Sequence, residues 1–295
     1  MTRATVSEKV SVPRTPWSRL RRDPAALVGL GVIAGVVCAA LLAPLIAPAD
    51  PAFQHPDGLS ADGRPLPPGG RFLLGTDLLG RDLLSRLLYG ARVSLLVGVV
   101  ANGAAVGIGT LLGVTAGYVR GWVGVLFMRF LDLMMAFPAL VLAIALAAIL
   151  RPSLWIVALV IGLVNWVWVG RVVYGQTLSL AQQEFVEAAR ALGAGSGRVL
   201  ARHLLPHLLP TLLVWGTLGI STTVLFEASL SFLGVGVRPP TPSWGGIINE
   251  SQSYFLDAPW LVAFPGLAIL FTSLSFNLVG EALRDALDPR RGARA

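Results

Sequence analysis

Hydrophobic residues in this chain come in long runs, and polar residues come in bursts between them. Runs that exceed the roughly 18–20 residues needed to carry a helix across a bilayer recur along the sequence. We read six spans, at about 25–47, 93–117, 123–149, 153–173, 208–233 and 260–280. The first stops near Pro44 and Pro48, and the third and fourth part at Arg151-Pro152. The pattern predicts an all-α, polytopic transmembrane helical bundle. Its parts are a polar tail at 1–24, a first span with its following loop at 25–92, a core membrane domain at 93–283 and a second tail at 284–295.

Finer periodicities sit inside this outline. Gly103 and Gly107 are spaced four apart, as are Gly109, Gly113 and Gly117. Small residues on one helix face let backbones approach closely in lipid, where van der Waals contact drives association. The loop after the first span opens with Pro51, Pro56, Pro65, Pro67 and Pro68, which suit an irregular course. It closes with GTDLLGRDLLSRLLYGARVS, where Leu79, Leu83, Leu84, Leu87 and Leu88 recur at helical spacing opposite Arg81, Asp82, Ser85 and Arg86. That pattern predicts an amphipathic helix lying at the membrane surface.

A polar hairpin at 182–206 separates the fourth and fifth spans. Phe185, Ala188, Ala189 and Leu192 fall on one side of a predicted helix, with Glu184, Glu187 and Arg190 elsewhere. Gly193, Gly195 and Gly197 stop that helix, Ser196 caps a second one, and Pro206 kinks it. Periodicity alone leaves two readings open. The stretch is an ordinary amphipathic loop helix, or a helix whose small-residue face enters a groove on a partner, with Glu187 meeting a cation there.

Composition narrows the class. The chain is 55% hydrophobic and only 13% charged, with a mean hydropathy of +0.72; soluble domains carry about 25% charged residues. The net charge of +7 does not imply nucleic-acid binding, because the arginines gather at the ends of apolar runs. Their distribution instead gives orientation. Arg3, Lys9, Arg14, Arg19, Arg21 and Arg22 place the N-terminus in the cytoplasm. Arg171, Arg190, Arg198 and Arg202 place the hairpin there, and Arg284, Arg290, Arg291 and Arg294 the C-terminus. The loop at 48–92 balances its arginines with acids and falls outside. The first apolar run is too long for a signal-peptide core, so it reads as a retained membrane helix. Cys38 stands alone, which excludes a disulfide framework or a cysteine metal site.

Candidate chemistry is sparse. Gly75-Thr76-Asp77-Leu78-Leu79-Gly80 mimics half of a phosphate-binding loop, but Arg81-Asp82 follow where Lys-Ser/Thr is required. No nucleotide, cofactor or metal site is expected on this chain. His203 and His207 share a helix face beside Pro206 and read as interfacial polar residues. Asp132 reads as a pairing partner for Arg129 or a neighbouring helix. Glu227, Asn165 and Asn277 stand between a pathway or gate role and helix packing, and Trp244 between an interfacial anchor and an outer lip. A stand-alone channel or secondary carrier would favour paired midplane charges or duplicated halves, and neither is evident. A membrane enzyme would need a catalytic cluster.

The segment EAARALGAGSGRVLARHLLP resembles the EAA signature of inner-membrane permeases of ABC importers, through Glu187, Ala188, Ala189, Gly193, Leu205 and Pro206. His203 departs from the pattern, which is aliphatic in many members. Further blocks extend the resemblance from about 25 to 290: GTDLLGRDLLSRLLYGARVSL, RFLDLMMAFPALVLA, EASLSFLGVGVRPPTPSWG and FPGLAILFTSLSFNLVGEALRDALDPR. Together they resemble the C-type permease of dipeptide/oligopeptide or nickel importers. In those blocks Gly75, Thr76, Asp77, Gly80, Arg81, Asp82, Asp132 and Trp244 are family-motif positions with structural roles. The resemblance implies the type I ABC importer permease fold, with six transmembrane helices and a cytoplasmic coupling helix. It also implies a second, B-type permease, two ABC ATPase subunits that hold ATP and Mg²⁺, and an extracytoplasmic solute-binding protein, at the bacterial cytoplasmic membrane. Glutathione is an alternative cargo.

Overall fold

The structure is a computed structural model that describes residue 21 and residues 23–150 and 153–288. Most of the basic N-terminal tail, the break at Arg151-Pro152 and the arginines from 290 onward lie outside the described residues. Among the described residues the fold is helical, with isolated β-bridges but no strand.

Helix α1 (Pro24–Ile46) begins where Asp23 accepts hydrogen bonds from the amides of Ala25 and Ala26, at 2.9 and 3.4 Å. Pro24 occupies the first turn, where its missing N–H costs nothing. Ala26, Gly29, Ala40 and Ala43 form its buried stripe, which lies against the last helix of the chain and the second.

Helix α2 (Leu83–Val119) runs for 37 residues, about 56 Å at 1.5 Å per residue. A hydrocarbon core of about 30 Å cannot cover it. The expected separate surface helix is corrected by continuity: residues 83–92 are the first turns of the same unbroken helix that forms the second span. The polar side also faces the other way. Arg81, Asp82, Ser85 and Arg86 are buried, while Leu79 is exposed. The charged groups find partners inside the protein, which removes the reason for that face to seek water.

The third span is broken. Helices α3 (Gly121–Met135) and α4 (Ala139–Ile149) meet at a bend of 85° across Ala136, Phe137 and Pro138. Pro138 cannot donate to a continuing helix. Among the described residues five helices are long and apolar enough to cross a membrane, and six crossings result if the bent pair counts as one. Arg120, with φ +60°, makes the turn between α2 and α3 and donates to the Leu178 carbonyl at 3.3 Å.

Helix α5 (Leu154–Leu180) lies along α2 in the most extensive helix–helix contact among the described residues. A Cβ added at Gly113 would stand 2.7 Å from the Gly170 carbonyl oxygen, and one at Gly109 2.8 Å from the Trp166 carbonyl oxygen. Gly117 meets Tyr174 and Thr177 in the same way. The expected stripe at 109, 113 and 117 is thus in contact. The pair Gly103 and Gly107 faces open space and plays no part in packing within the chain.

The hairpin follows as α6 (Glu184–Ala191) and α7 (Ser196–Val199), then a π-helical turn, Leu200–Leu204, and helix α8 (Leu205–Phe232). Gly195 rather than Ser196 precedes α7, and no side chain caps it. A short helix α9 (Trp244–Ser251) is capped by Ser243, whose Oγ accepts from the Gly246 amide at 3.1 Å. The last helix, α10 (Trp260–Leu287), packs on α1, α8 and α9. The apolar core between α2, α4, α5 and α8 includes Val97, Ala101, Ala143, Val160, Ile161 and Leu230.

Replacing Gly113 with Ala should force α2 from α5 and cost about 1–3 kcal/mol. Gly103→Ala should leave stability within about 0.5 kcal/mol or raise it. Thermal unfolding of the detergent-purified protein checks both. Equal behaviour of the two variants would contradict the assigned contact.

Candidate functional site

Among the described residues, three groups of polar side chains are reached by α2. At one end of the bundle is the hairpin. Its helix α6 carries Glu184 and Glu187 in the first turn and Arg190 in the last, the arrangement that complements the helix dipole. Gly193, at φ +83°, ends it: the Gly193 amide donates to Arg190 and the Ala194 amide to Ala189, at 2.9 and 3.0 Å.

Val186 is the inward anchor of α6. It clusters with Val199 and Leu204, and with Tyr118 and Phe185 beside them. The expected face is rotated accordingly. Ala189 points inward with Val186, whereas Ala188 and Leu192 face out together with Glu184 and Glu187. Leu192 is 88% exposed. Leu205 and Pro206 are also exposed, just past the π turn, with Leu204 the buried member of that run. The π turn places its wider ring immediately before Pro206, which lacks an N–H. Two contacts fasten the flanks of α6. The Arg190 guanidinium lies 4.8 Å over the Tyr118 ring and donates to its hydroxyl at 3.3 Å. Phe185 stacks on His207, with ring centroids 4.7 Å apart.

At the opposite end, the GTDLLGRD segment forms a buried ionic clasp. Thr76 donates to the Gly58 carbonyl at 2.6 Å and accepts from the Leu66 amide at 2.8 Å. Asp77 accepts from the amides of Leu79 and Arg81, from Arg81 Nε at 2.6 Å and from Arg86 Nη1. Arg81 and Arg86 both reach Glu250 of α9, at 2.6 and 2.9 Å. Asp82 caps α2 through the Ser85 amide and hydroxyl. Gly75 and Gly80 hold positive φ, and a Cβ at Gly75 would meet the Leu66 carbonyl at 2.5 Å. The half phosphate-loop pattern is therefore a knot of side chains engaged with one another. Sequence reasoning placed Arg86 at a surface and missed Glu250, since nothing in a loop sequence marks which distant acid will close the knot.

The third place is Glu227, fully buried on α8. Its carboxylate accepts from Ser94 of α2 at 2.9 Å and from Ser231 at 2.7 Å. Ser243 donates to Ser231, and the Trp244 amide donates to Ser94, each at 3.3 Å. Trp244 is 2% exposed, and its indole N–H donates to the Leu87 carbonyl at 3.1 Å. The interfacial-anchor reading of Trp244 is thereby corrected: the indole is a core residue whose one polar atom is paired. Asn165 and Asn277 are half-buried on α5 and α10 and join none of the hydrogen bonds around Glu227. Asp132 pairs with Arg171 of α5 at 3.2 Å, and Arg129 stands at 3.9 Å. Asn102, unremarked in the sequence, ties α2 to α8 through the Gly216 carbonyl at 2.7 Å. No group of three or more histidine, cysteine, aspartate or glutamate side chains among the described residues is arranged to hold a metal.

Long apolar helices, a broken span and a polar helix carried outside the bundle define a polytopic membrane component. Residues 109–292 match the family described as binding-protein-dependent transport system inner membrane component, and residues 14–68 match the N-terminal TM domain of oligopeptide transport permease C. The chain belongs to the binding-protein-dependent transport system inner-membrane components. It is 41% identical over 281 residues to the dipeptide transport system permease protein of Alkalihalophilus pseudofirmus, across 95% of this chain and 91% of that one. It is 42% identical over 275 residues to the di/tripeptide transport system permease protein of Pseudomonas aeruginosa, across 93% and 91%. The glutathione transport system permease protein of Escherichia coli is 41% identical over 281 residues, across 94% and 91%.

Asp77→Ala should leave Arg81 and Arg86 short of a partner in a buried site and cost on the order of 3–5 kcal/mol. Asp132→Ala, at a half-exposed pair, should cost about 1 kcal/mol or less. Thermal unfolding of the two variants checks the order; a smaller loss at Asp77 would contradict the clasp.

Proposed function

We propose that this chain is the C-type permease subunit of an ATP-driven importer of di- and oligopeptides in the bacterial cytoplasmic membrane. The observation that carries the reading is α6. It is a two-turn polar helix held from behind by Val186 and presenting Glu184, Glu187, Ala188 and Leu192 to the outside. An outward face of Ala188 and Leu192 flanked by the Glu184 and Glu187 carboxylates suits insertion into an apolar groove with a cationic rim. Glu187, Ala188, Ala189, Gly193, Leu205 and Pro206 form the ATPase-coupling element: Glu187 and Ala188 make contact, while Ala189 and Gly193 shape the helix that presents them.

The assembly contains this chain, a B-type permease, two ATPase subunits that bind ATP and Mg²⁺, and an extracytoplasmic solute-binding protein. The chain itself makes and breaks no covalent bond. It alternates between inward- and outward-facing states, and closure of the ATPase dimer biases that equilibrium through α6. With α6 on the ATPase side, both termini are cytoplasmic and the loop pinned by the ionic clasp faces the binding protein. Glu227, Asn165 and Asn277 are candidates for the pathway or gate. The relatives named for dipeptides and di/tripeptides favour a short-peptide cargo. The relative named for glutathione supports that tripeptide as the alternative.

Glu187→Lys should leave the chain in the membrane while ATPase co-purification and peptide uptake both fall about tenfold, which corresponds to ~1.4 kcal/mol of docking energy. Unchanged co-purification and unchanged uptake would refute the assignment of α6.

A further inference from the structure

One contact of α6 reaches a cavity. His207 of α8 stacks on Phe185 with the ring planes 18° apart. From its other side His207 is held by the π turn that precedes α8: Nδ1 lies 2.6 Å from the His203 carbonyl oxygen, which can only accept, so Nδ1 donates. The same residue lines a cavity of about 630 Å³ together with Gln176 of α5, Thr211, Trp215 and Thr222 of α8, and Arg284 of α10. Three spans therefore meet at a cavity whose wall includes a side chain in contact with the polar hairpin.

The first turns of α8 are suited to movement. The π turn at Leu200–Leu204 precedes them, and Pro210 withholds an N–H from the helix ladder. A shift of α6 pressed on His207 through the Phe185 ring would tilt these turns and change the cavity wall. Arg190 on Tyr118 fastens the other flank of α6 to the far end of α2, and Val186 anchors the face between them. We propose that His207 is a positioning residue that conveys displacement of α6 to the cavity between α5, α8 and α10. The proposal rests on the reading of α6 as the ATPase contact.

The test uses the whole importer in proteoliposomes and reads molecules of a radiolabelled dipeptide taken up per ATP hydrolysed. In His207→Ala, the ATPase subunits should co-purify as in the unaltered complex while uptake per ATP falls about fivefold, the size of losing one aromatic pair. Phe185→Ala should do the same. The double variant should fall no further, because the two residues act as one unit. His207→Phe keeps the stack and should restore the ratio to within about twofold, on the same pair energetics. If the two rings only hold the loop in place, the amount of assembled complex drops and uptake per ATP stays constant; that result overturns the proposal. Should His207→Ala fail to assemble, the comparison of His207→Phe with His207→Leu decides, and equal ratios overturn it. If the unaltered complex retains no ATPase subunit, the reading of α6 is what fails, and the proposal falls with it.

Discussion

The close approach of α2 and α5 is the constraint on which the rest of the molecule depends. In lipid there is no hydrophobic force between two apolar helices, so they associate through contact and short-range polar bonds. Gly109, Gly113 and Gly117 bring the α2 backbone against Gly170, Val173 and Thr177. Once α2 is fixed in this way, its length sets the positions of everything else. Arg86 near its start enters the ionic clasp, Ser94 meets Glu227, Asn102 meets α8, and Tyr118 at its end carries Arg190 of the hairpin. A single rod reaches the clasp, Glu227 and the hairpin.

The two ends of that rod are held by different physics. The clasp end buries two arginines and an aspartate, with Glu250 closing the knot. Burying such charges costs several kcal/mol per ion, offset only when geometry and partners are complete. Such a site resists partial displacement. The hairpin end is held by a valine cluster, one stacked ring pair and one cation over a ring. The ring pair and the cation contact are worth about 0.5–1.5 kcal/mol each and can slide or re-form. A firm end and a yielding end suit a device that receives a push on one side and keeps its shape on the other.

Much of this was legible in the residues. The spans came from apolar run lengths, the α2 stripe from glycines four apart, and the hairpin from polarity between two runs. What escaped was direction. The GRDLLSR segment shows the same periodicity whether its polar side meets water or buried partners, and Glu250 decides the matter from far along the chain. In the same way Ala188 and Ala189 look alike in sequence. Val186, buried against Val199 and Leu204, sets which of them faces out. The third span reads in the sequence as one unbroken run over about 123–149 although Pro138 lies inside it, and the 85° bend there depends on neighbours that a local pattern does not contain. Trp244 reads as an interfacial residue because tryptophan favours membrane boundaries. It is buried instead because its indole N–H finds the Leu87 carbonyl.

The most direct measurement is uptake by the proposed assembly, reconstituted in sealed proteoliposomes from this chain and the proposed B-type permease, ATPase subunits and solute-binding protein. A labelled dipeptide should accumulate only when every subunit and hydrolysable ATP are present, and a non-hydrolysable analogue or an ion gradient should not replace ATP. Accumulation by this chain alone under an ion gradient would contradict the account.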